Sequence, residues 1–443
     1  MKIKIELHQH DEYNMVNKAE MENRIIPYKM LYEAITSTYG LVEGILPNHG
    51  IPSLRIGLKH LKSIMEEYIQ KAREGSPIIG HHFSFPTEYL SCFDCVPVCI
   101  EAVSYLLAAL LPHGSEPYYD LITNWGHPFH TCTSQKGTMG MTLDNLFKFD
   151  AIITPTAPCD NTYASYPFFS YYKKIPLITP DLPFLKEEKS YIFHGEQIKL
   201  GLEALGKVIN QEPDYGKLRE AIELENQVSK MQLEIFELKK VKPCPVENMF
   251  NAMSAAAAIY FSGRGEKVSY YNDMLEIAKK RYRNNEHHAG EEKIRSIWPY
   301  MIIFFDLELG EWLDRHLGMS ILFDIFNYNF AEPINTKSDL DTMLYGMAKK
   351  SMEAPMVKQS AEFYYSFIDE CIQLAKDFSA DCFIFTSHIG CKQFGSVPQI
   401  LREALRDEVG IPMLLIDVDV GDARFASAKI IREKIKLFTQ TLM

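Results

Sequence analysis

The chain has 443 residues, of which 47% are hydrophobic and 23% charged, and its formal net charge is −12. That length exceeds one ordinary domain and predicts two or three, while the acidic balance with no basic stripe argues against a nucleic-acid role. No apolar run approaches the roughly 20 residues of a membrane span, and the opening MKIKIELHQHDEYN lacks an apolar signal-peptide core, so a cytoplasmic location without membrane attachment is expected.

Residues 1–73 read as a helical, charged N-terminal segment, with apolar residues at helical spacing in MENRIIPYKMLYEAI and SLRIGLKHLKSIMEEYIQKAREG. Residues 74–185 read as a first α/β lobe. A strand at Pro77–His82 is followed by the stretch Phe85–Pro97, a short helix running into a second strand. Small residues at Thr131–Gly137 open a helix, and strands at 151–154 and 175–178 complete a parallel sheet. Residues 186–295, rich in Glu, Lys and Leu, form a helical connector, in which Asn248–Arg264 and Tyr270–Asn284 are helices and NNEHHAGEEK is an exposed segment. Residues 296–443 read as a second lobe, whose sheet starts at Trp298–Phe305 and continues at 321–325, 382–386 and 413–416. The fold class is therefore α/β, with two parallel-sheet (flavodoxin/Rossmann-like) lobes and helical additions.

The second lobe contains the most structured stretch, Asp381–Asp419. Here a strand, the turn His388-Ile-Gly-Cys391, a helix near 396–408 and the strand at Met413–Ile416 make a βαβ unit, whose crossover should be right-handed. Cys391 sits at the carboxyl end of its strand, where open α/β sheets hold ligands. The stretch Ala151-Ile-Ile-Thr-Pro-Thr-Ala-Pro-Cys159 repeats the design, so two strand-end cysteines from separate halves suggest one site between two lobes.

Nine cysteines in a cytoplasmic chain argue for free thiols rather than disulfides. Cys132, Cys159 and Cys391 stand beside turn-forming residues at a helix start or strand end, where unpaired N–H groups stabilise thiolates. Thiolates there suit an iron–sulfur centre or zinc, and reactive or structural thiols are the plain alternatives. Cys92, Cys95 and Cys99 share one face if helical, as ligands or as packing. Cys371 and Cys382 read as core, and Cys244 as a loop thiol. His127 and His130 flank Cys132 as candidate acid or base, whereas His287 and His288 read as solvated. Glu88 reads as a buried acid or an early-turn helix carboxylate. Neither a G-x-G-x-x-G, a Walker loop nor a G-x-S-x-G occurs, so hydride chemistry and ATP hydrolysis by this chain lack support.

Taken in order, several segments resemble the 2-hydroxyacyl-CoA dehydratase and benzoyl-CoA reductase family (component D type). They are Pro86-Thr-Glu88 with Val96-Pro97, Cys132-Thr-Ser with Lys136-Gly137, Asp150-Ala-Ile-Ile with Cys159-Asp160, and Gly263-Arg-Gly265. The Glu292–Pro299 stretch, Gly390-Cys391-Lys-Gln393 with Ile400-Leu-Arg-Glu403, Gly410-Ile-Pro412, and Asp417-Val-Asp419 with Arg424 complete the set. The resemblance implies a [4Fe-4S] cluster on Cys132, Cys159 and Cys391, with one iron left open for a substrate oxygen. It implies an acyl-CoA substrate, a homologous or identical partner subunit, and an ATP-hydrolysing iron–sulfur activator that delivers one electron. That electron turns a 2-hydroxyacyl-CoA into a ketyl radical anion, which expels its hydroxyl group and yields an enoyl-CoA. The sequence departs from the pattern at Cys92, Asp94 and Cys95, and the two extra thiols match a relative carrying a double-cubane [8Fe-9S] cluster. An ATP-dependent reductase and a non-catalytic scaffold subunit are therefore kept as alternatives, with Cys92 and Cys95 leaning towards packing.

Overall fold

Short apolar strands carry the architecture in the computed structural model of the chain, which describes residues 18–44, 51–325, 332–354, 356–358 and 364–442. Strands β1 (Ile78–His81), β2 (Val96–Cys99), β3 (Ala151–Ile153) and β4 (Leu177–Ile178) pair in the order β2-β1-β3-β4. Strands β5 (Ile294–Ile297), β6 (Met319–Phe323), β7 (Cys382–His388) and β8 (Met413–Val418) pair in the order β6-β5-β7-β8. All pairings are parallel, so the α/β reading with two parallel-sheet lobes holds. The two sheets share one topology. In each, the second strand joins one side of the first and the third strand joins the other. The direction of sheet growth thus reverses between β1 and β3 and again between β5 and β7, and loops leaving such a reversal open the crevice where ligands bind.

The pleat of the first sheet separates two cores. Ile78 and Ile152 face the main core, which continues through the second lobe, while Ile79, Ala151 and Ile153 face a smaller one with Phe85, Leu202 and Met343. The helices of residues 18–44 and 52–74 pack on each other, and the latter also packs on helices Met249–Tyr260 and Gly265–Asn284. Helix Glu188–Ile209 packs on β3 and β4 and against helix Leu340–Met352, so the helical middle of the chain is tied to both lobes.

Two expectations are corrected. The second sheet starts at Ile294–Ile297, not at Trp298–Phe305. Pro299 has no N–H for a ladder, and the charged Arg295 is accommodated inside β5 because its donors are taken. Its Nε donates to Phe378 O (3.0 Å), Nη1 to Glu292 (2.9 Å) and Val241 O (3.1 Å), and Nη2 to Lys239 O (3.0 Å) and Lys240 O (3.1 Å). Such pairing removes most of the cost of a buried charge. The segment NNEHHAGEEK is exposed only in part, since His287, the His288 side chain and Glu292 are buried against the second lobe.

Candidate functional site

Each of three cysteines stands immediately before a helix with extended backbone. Cys132 precedes Thr133–Leu143, Cys159 precedes Asp160–Lys173 and Cys391 precedes the single turn Lys392–Gly395. Cys159 follows β3 and Cys391 follows β7, which are equivalent strands of the two lobes, while Cys132 comes from the connection between β2 and β3. The first N–H groups of a helix have no intrahelical partner and favour negative charge nearby. Here the amides of Ser134, of Thr162, and of Gln393 and Phe394 favour the thiolates of Cys132, Cys159 and Cys391 in turn.

The lobes are clamped around these thiols by bonds that cross between them. Asn161 Nδ2 donates to Gly390 O at 2.8 Å while its Oδ1 accepts from the Cys132 amide at 3.3 Å. Thr133 Oγ1 donates to Asp419 Oδ1 at 2.6 Å, and Gln393 Nε2 donates to Pro158 O. Gly390 is required by the approach itself, because a Cβ there would lie 2.6 Å from Cys132 Cα.

His388, at the end of β7, points its Nε2 at Cys132 Sγ across 3.3 Å. Burial acts to raise the Cys132 thiol, yet the His388 charge and hydrogen bond, with Ser134 Oγ at 2.9 Å, bring it below the ordinary thiol range. The same pairing raises His388 despite its burial. Burial, followed by the charge of Cys132, pushes Cys159 up to about 12, and burial likewise raises Cys391. The Cys132 thiol is thus shifted towards ionisation and the other two away from it, a shift that a bound cation would reverse. Asn161, two residues after Cys159, bonds both the Cys132 amide and the carbonyl of Gly390 beside Cys391, so the three cysteines meet at one seam, and each is partly open to solvent.

Aromatic and polar groups line that seam. Tyr105 Oη lies 3.7 Å from Cys132 Sγ and its ring stacks on Phe304 at 4.3 Å, while Tyr300, which hydrogen-bonds Cys391, stacks on Phe394 at 4.3 Å. Gln135 Nε2 reaches Cys159 Sγ (3.7 Å), Thr162 Oγ1 (3.3 Å) and Glu101 Oε1 (3.4 Å). Burial pushes Glu101 up to about 7 although Tyr166 Oη donates to it at 2.5 Å.

The other sequence candidates fall elsewhere. Cys92 and Cys95 belong to the smaller core, where Cys92 Sγ donates to Tyr89 O (3.2 Å) and Cys95 Sγ to Leu90 O (3.8 Å); burial raises both, Cys95 to about 12. Cys99 ends β2 in the main core with its thiol 3.6 Å from Glu101 Oε2, so the three do not share a helix face. Cys371 and Cys382 are core residues as expected, and Cys244 is buried with its thiol on Val246 O at 3.6 Å. Glu88 is a buried acid that accepts from Ser262 Oγ at 2.6 Å. His127 packs its ring edge-on to Phe168, and the imidazole that meets a thiol is His388 instead. Its position three residues before Cys391 at a strand end was the available signal. Gln135, Asn161 and Glu101 left no comparable signal.

Two lobes of one topology, with a strand-end cysteine from each and a third at a helix start, define the class: a two-lobed α/β protein with three cysteines at the lobe interface. Residues 82–442 match 2-hydroxyglutaryl-CoA dehydratase, D-component, and the chain belongs to that family. No curated protein matches the chain. Among the described residues, no helix is long and apolar enough to cross a membrane.

Proposed function

We propose that this chain is the iron–sulfur subunit of a 2-hydroxyacyl-CoA dehydratase, with a [4Fe-4S] cluster on Cys132, Cys159 and Cys391. The observation that carries the reading is the convergence of these three thiols at the lobe interface of a chain in a dehydratase-component family. The donor set fits: three soft thiolates, each backed by helix-start amides, suit a cubane with one iron free of protein ligand. Such a cluster supplies one low-potential electron and a Lewis-acid iron.

The chain's own residues have separate tasks. Tyr105, Phe304, Tyr300 and Phe394 form stacked apolar walls beside Cys132 and Cys391. His388 holds a proton at Nε2 against Cys132 Sγ, and Gln135 fixes the Cys159 side. Glu101, raised to about 7, carries a proton near neutral pH and is the candidate acid or base on the first lobe's side. The chain pairs with a homologous or identical subunit and receives its electron from an ATP-hydrolysing activator in the cytoplasm. A double-cubane centre and its reductase chemistry are disfavoured, because Cys92 and Cys95 bond to carbonyls of their own segment inside a different core.

The test is anaerobic purification with iron and acid-labile sulfide analysis, followed by assay of 2-hydroxyacyl-CoA with activator, ATP and reductant. About four irons per chain and enoyl-CoA formed without stoichiometric reductant use are expected. Zinc in place of iron under iron-replete expression overturns the cluster, and reductant consumed in proportion to product overturns the dehydratase.

A further inference from the structure

A second group of metal-type donors lies in the second lobe, apart from the three cysteines. His288, Glu311 and Asp314 bring one donor atom each to within 4.8 Å of one another. The histidine comes from the loop after helix Gly265–Asn284, where His287 bridges Gly290. Glu311 and Asp314 come from the connection between β5 and β6, three residues apart across the start of a π-helical turn, Leu313–Leu317. Turns of that kind are uncommon and concentrate at functional sites.

The group is closed from solvent, with side-chain exposures of 2% for His288, 14% for Glu311 and 0% for Asp314. Its hydrogen bonding is incomplete. Asp314 Oδ2 accepts from the Asn248 amide at 3.1 Å, but Oδ1 is buried with no hydrogen-bond partner. The nearest imidazole does not supply one. His287 Nδ1 accepts from the Ala289 amide at 3.3 Å, so its Nε2 proton goes to Ser320 Oγ at 3.2 Å, and Nε2 stays 3.8 Å from Oδ1. A buried carboxylate oxygen without a partner is costly and calls for a proton or a cation. Of the neighbouring carboxylates, Glu247 and Glu311 each meet a guanidinium, Arg281 on Glu247 at 3.0 Å and Arg315 on Glu311, whereas neither guanidinium reaches Asp314 Oδ1.

We propose that His288 Nε2, a carboxylate oxygen of Glu311 and Asp314 Oδ1 bind one divalent cation of borderline character, with zinc as the probe. One imidazole and two carboxylates favour such a cation over calcium or magnesium. Nε2 and Glu311 Oε2 are 3.0 Å apart, a separation suited to neighbouring ligands of one ion. Binding through Nε2 puts the imidazole proton on Nδ1, which faces Glu247 Oε2 at 3.7 Å and must close on it by several tenths of an ångström to form the carboxylate–histidine–metal relation. Arg281 Nη2, which donates to that Nδ1 at 3.2 Å, gives up this bond when the proton moves there but keeps Glu247 Oε2 at 3.0 Å, and its Nη1 keeps Pro245 O at 3.2 Å. The closed setting makes the site structural, a staple between the 285–293 loop and the β5–β6 connection.

The experiment uses the full-length protein with its own cluster, treated with a mild chelator, equilibrated with zinc, desalted and analysed for metals. About one zinc per chain is expected beyond the iron, with a higher melting temperature. Asp314→Asn, which preserves the Asn248 bond, and His288→Gln should each weaken zinc binding about tenfold or more and abolish the thermal shift. A chain with Cys132, Cys159 and Cys391 all changed to Ser should still bind zinc. Loss of zinc on desalting, equal zinc in the Asp314→Asn and His288→Gln chains, or zinc that follows the cysteines overturns the proposal. Cobalt titration of the wild-type protein gives a readout free of variants. Weak visible d–d bands without sulfur-to-cobalt charge transfer support the site, and thiolate charge-transfer bands as the sole response refute it.

Discussion

His388 Nε2 and Cys132 Sγ, on strands and helices of opposite lobes, face each other across 3.3 Å. The His388 charge and hydrogen bond act to lower the Cys132 thiol, whereas burial alone acts in the other direction. Replacing His388 by Gln should raise the Cys132 pKa in cluster-free protein by about one unit or more. Alkylation of Cys132 at neutral pH, followed by peptide mass spectrometry over a pH series, should slow about tenfold. An unshifted profile would show that the helix-start amides suffice without the histidine.

Cluster retention should separate the cysteines into two sets. Cys132→Ser, Cys159→Ser and Cys391→Ser should each lose most iron and sulfide, because hydroxyl is a poor substitute for a soft thiolate. Cys92→Ser and Cys95→Ser should keep their iron and lose about 1–3 kcal/mol of stability from a hydroxyl placed in the smaller core. Iron loss in this second set would revive the double-cubane reading.

Gly390→Ala tests the closeness of the lobes. The added Cβ would sit 2.6 Å from the Cys132 backbone, so one lobe must move. A loss of about 1–3 kcal/mol in urea unfolding is expected, together with weaker retention of iron. Wild-type stability and iron content would mean that the lobes adjust freely.

Glu101 sets a pH dependence whose sign is determined by burial. Its carboxyl is raised from 4.5 to about 7 in the folded chain, so folding favours the protonated form. The associated stability is complete below the unfolded value and is lost as pH rises through the folded one. Unfolding free energies of wild type relative to Glu101→Gln should therefore fall by roughly 3 kcal/mol between acidic and neutral pH. A difference that stays flat over that window would place Glu101 in a more polar setting than its burial indicates.

Arg295→Ala should be among the most damaging changes outside the thiol site. It would leave Glu292 buried without its 2.9 Å partner and strip four backbone carbonyls of donors. A loss of about 3–5 kcal/mol is expected in chemical denaturation.

The sequence by itself determined the two parallel sheets, because strands buried on both faces read as short apolar runs between helices of clear periodicity. It also singled out Cys132, Cys159 and Cys391, since turn-forming residues mark helix starts and strand ends. The start of the second sheet was hidden, because Ile-Arg-Ser-Ile carries a charge that is tolerated only where Lys239, Lys240, Val241 and Phe378 supply carbonyls from distant segments. The same holds for His388, Asn161 and Gln135, which gained their roles from neighbours in the other half of the chain or on an adjacent helix. His287 and His288 looked solvated amid charged residues, and only packing against β6 and the π-helical turn buried them. Local pattern determines which segments form and where they end. The partners, burial and protonation of polar groups depend on contacts far apart in sequence, and those were decided by the tertiary structure alone.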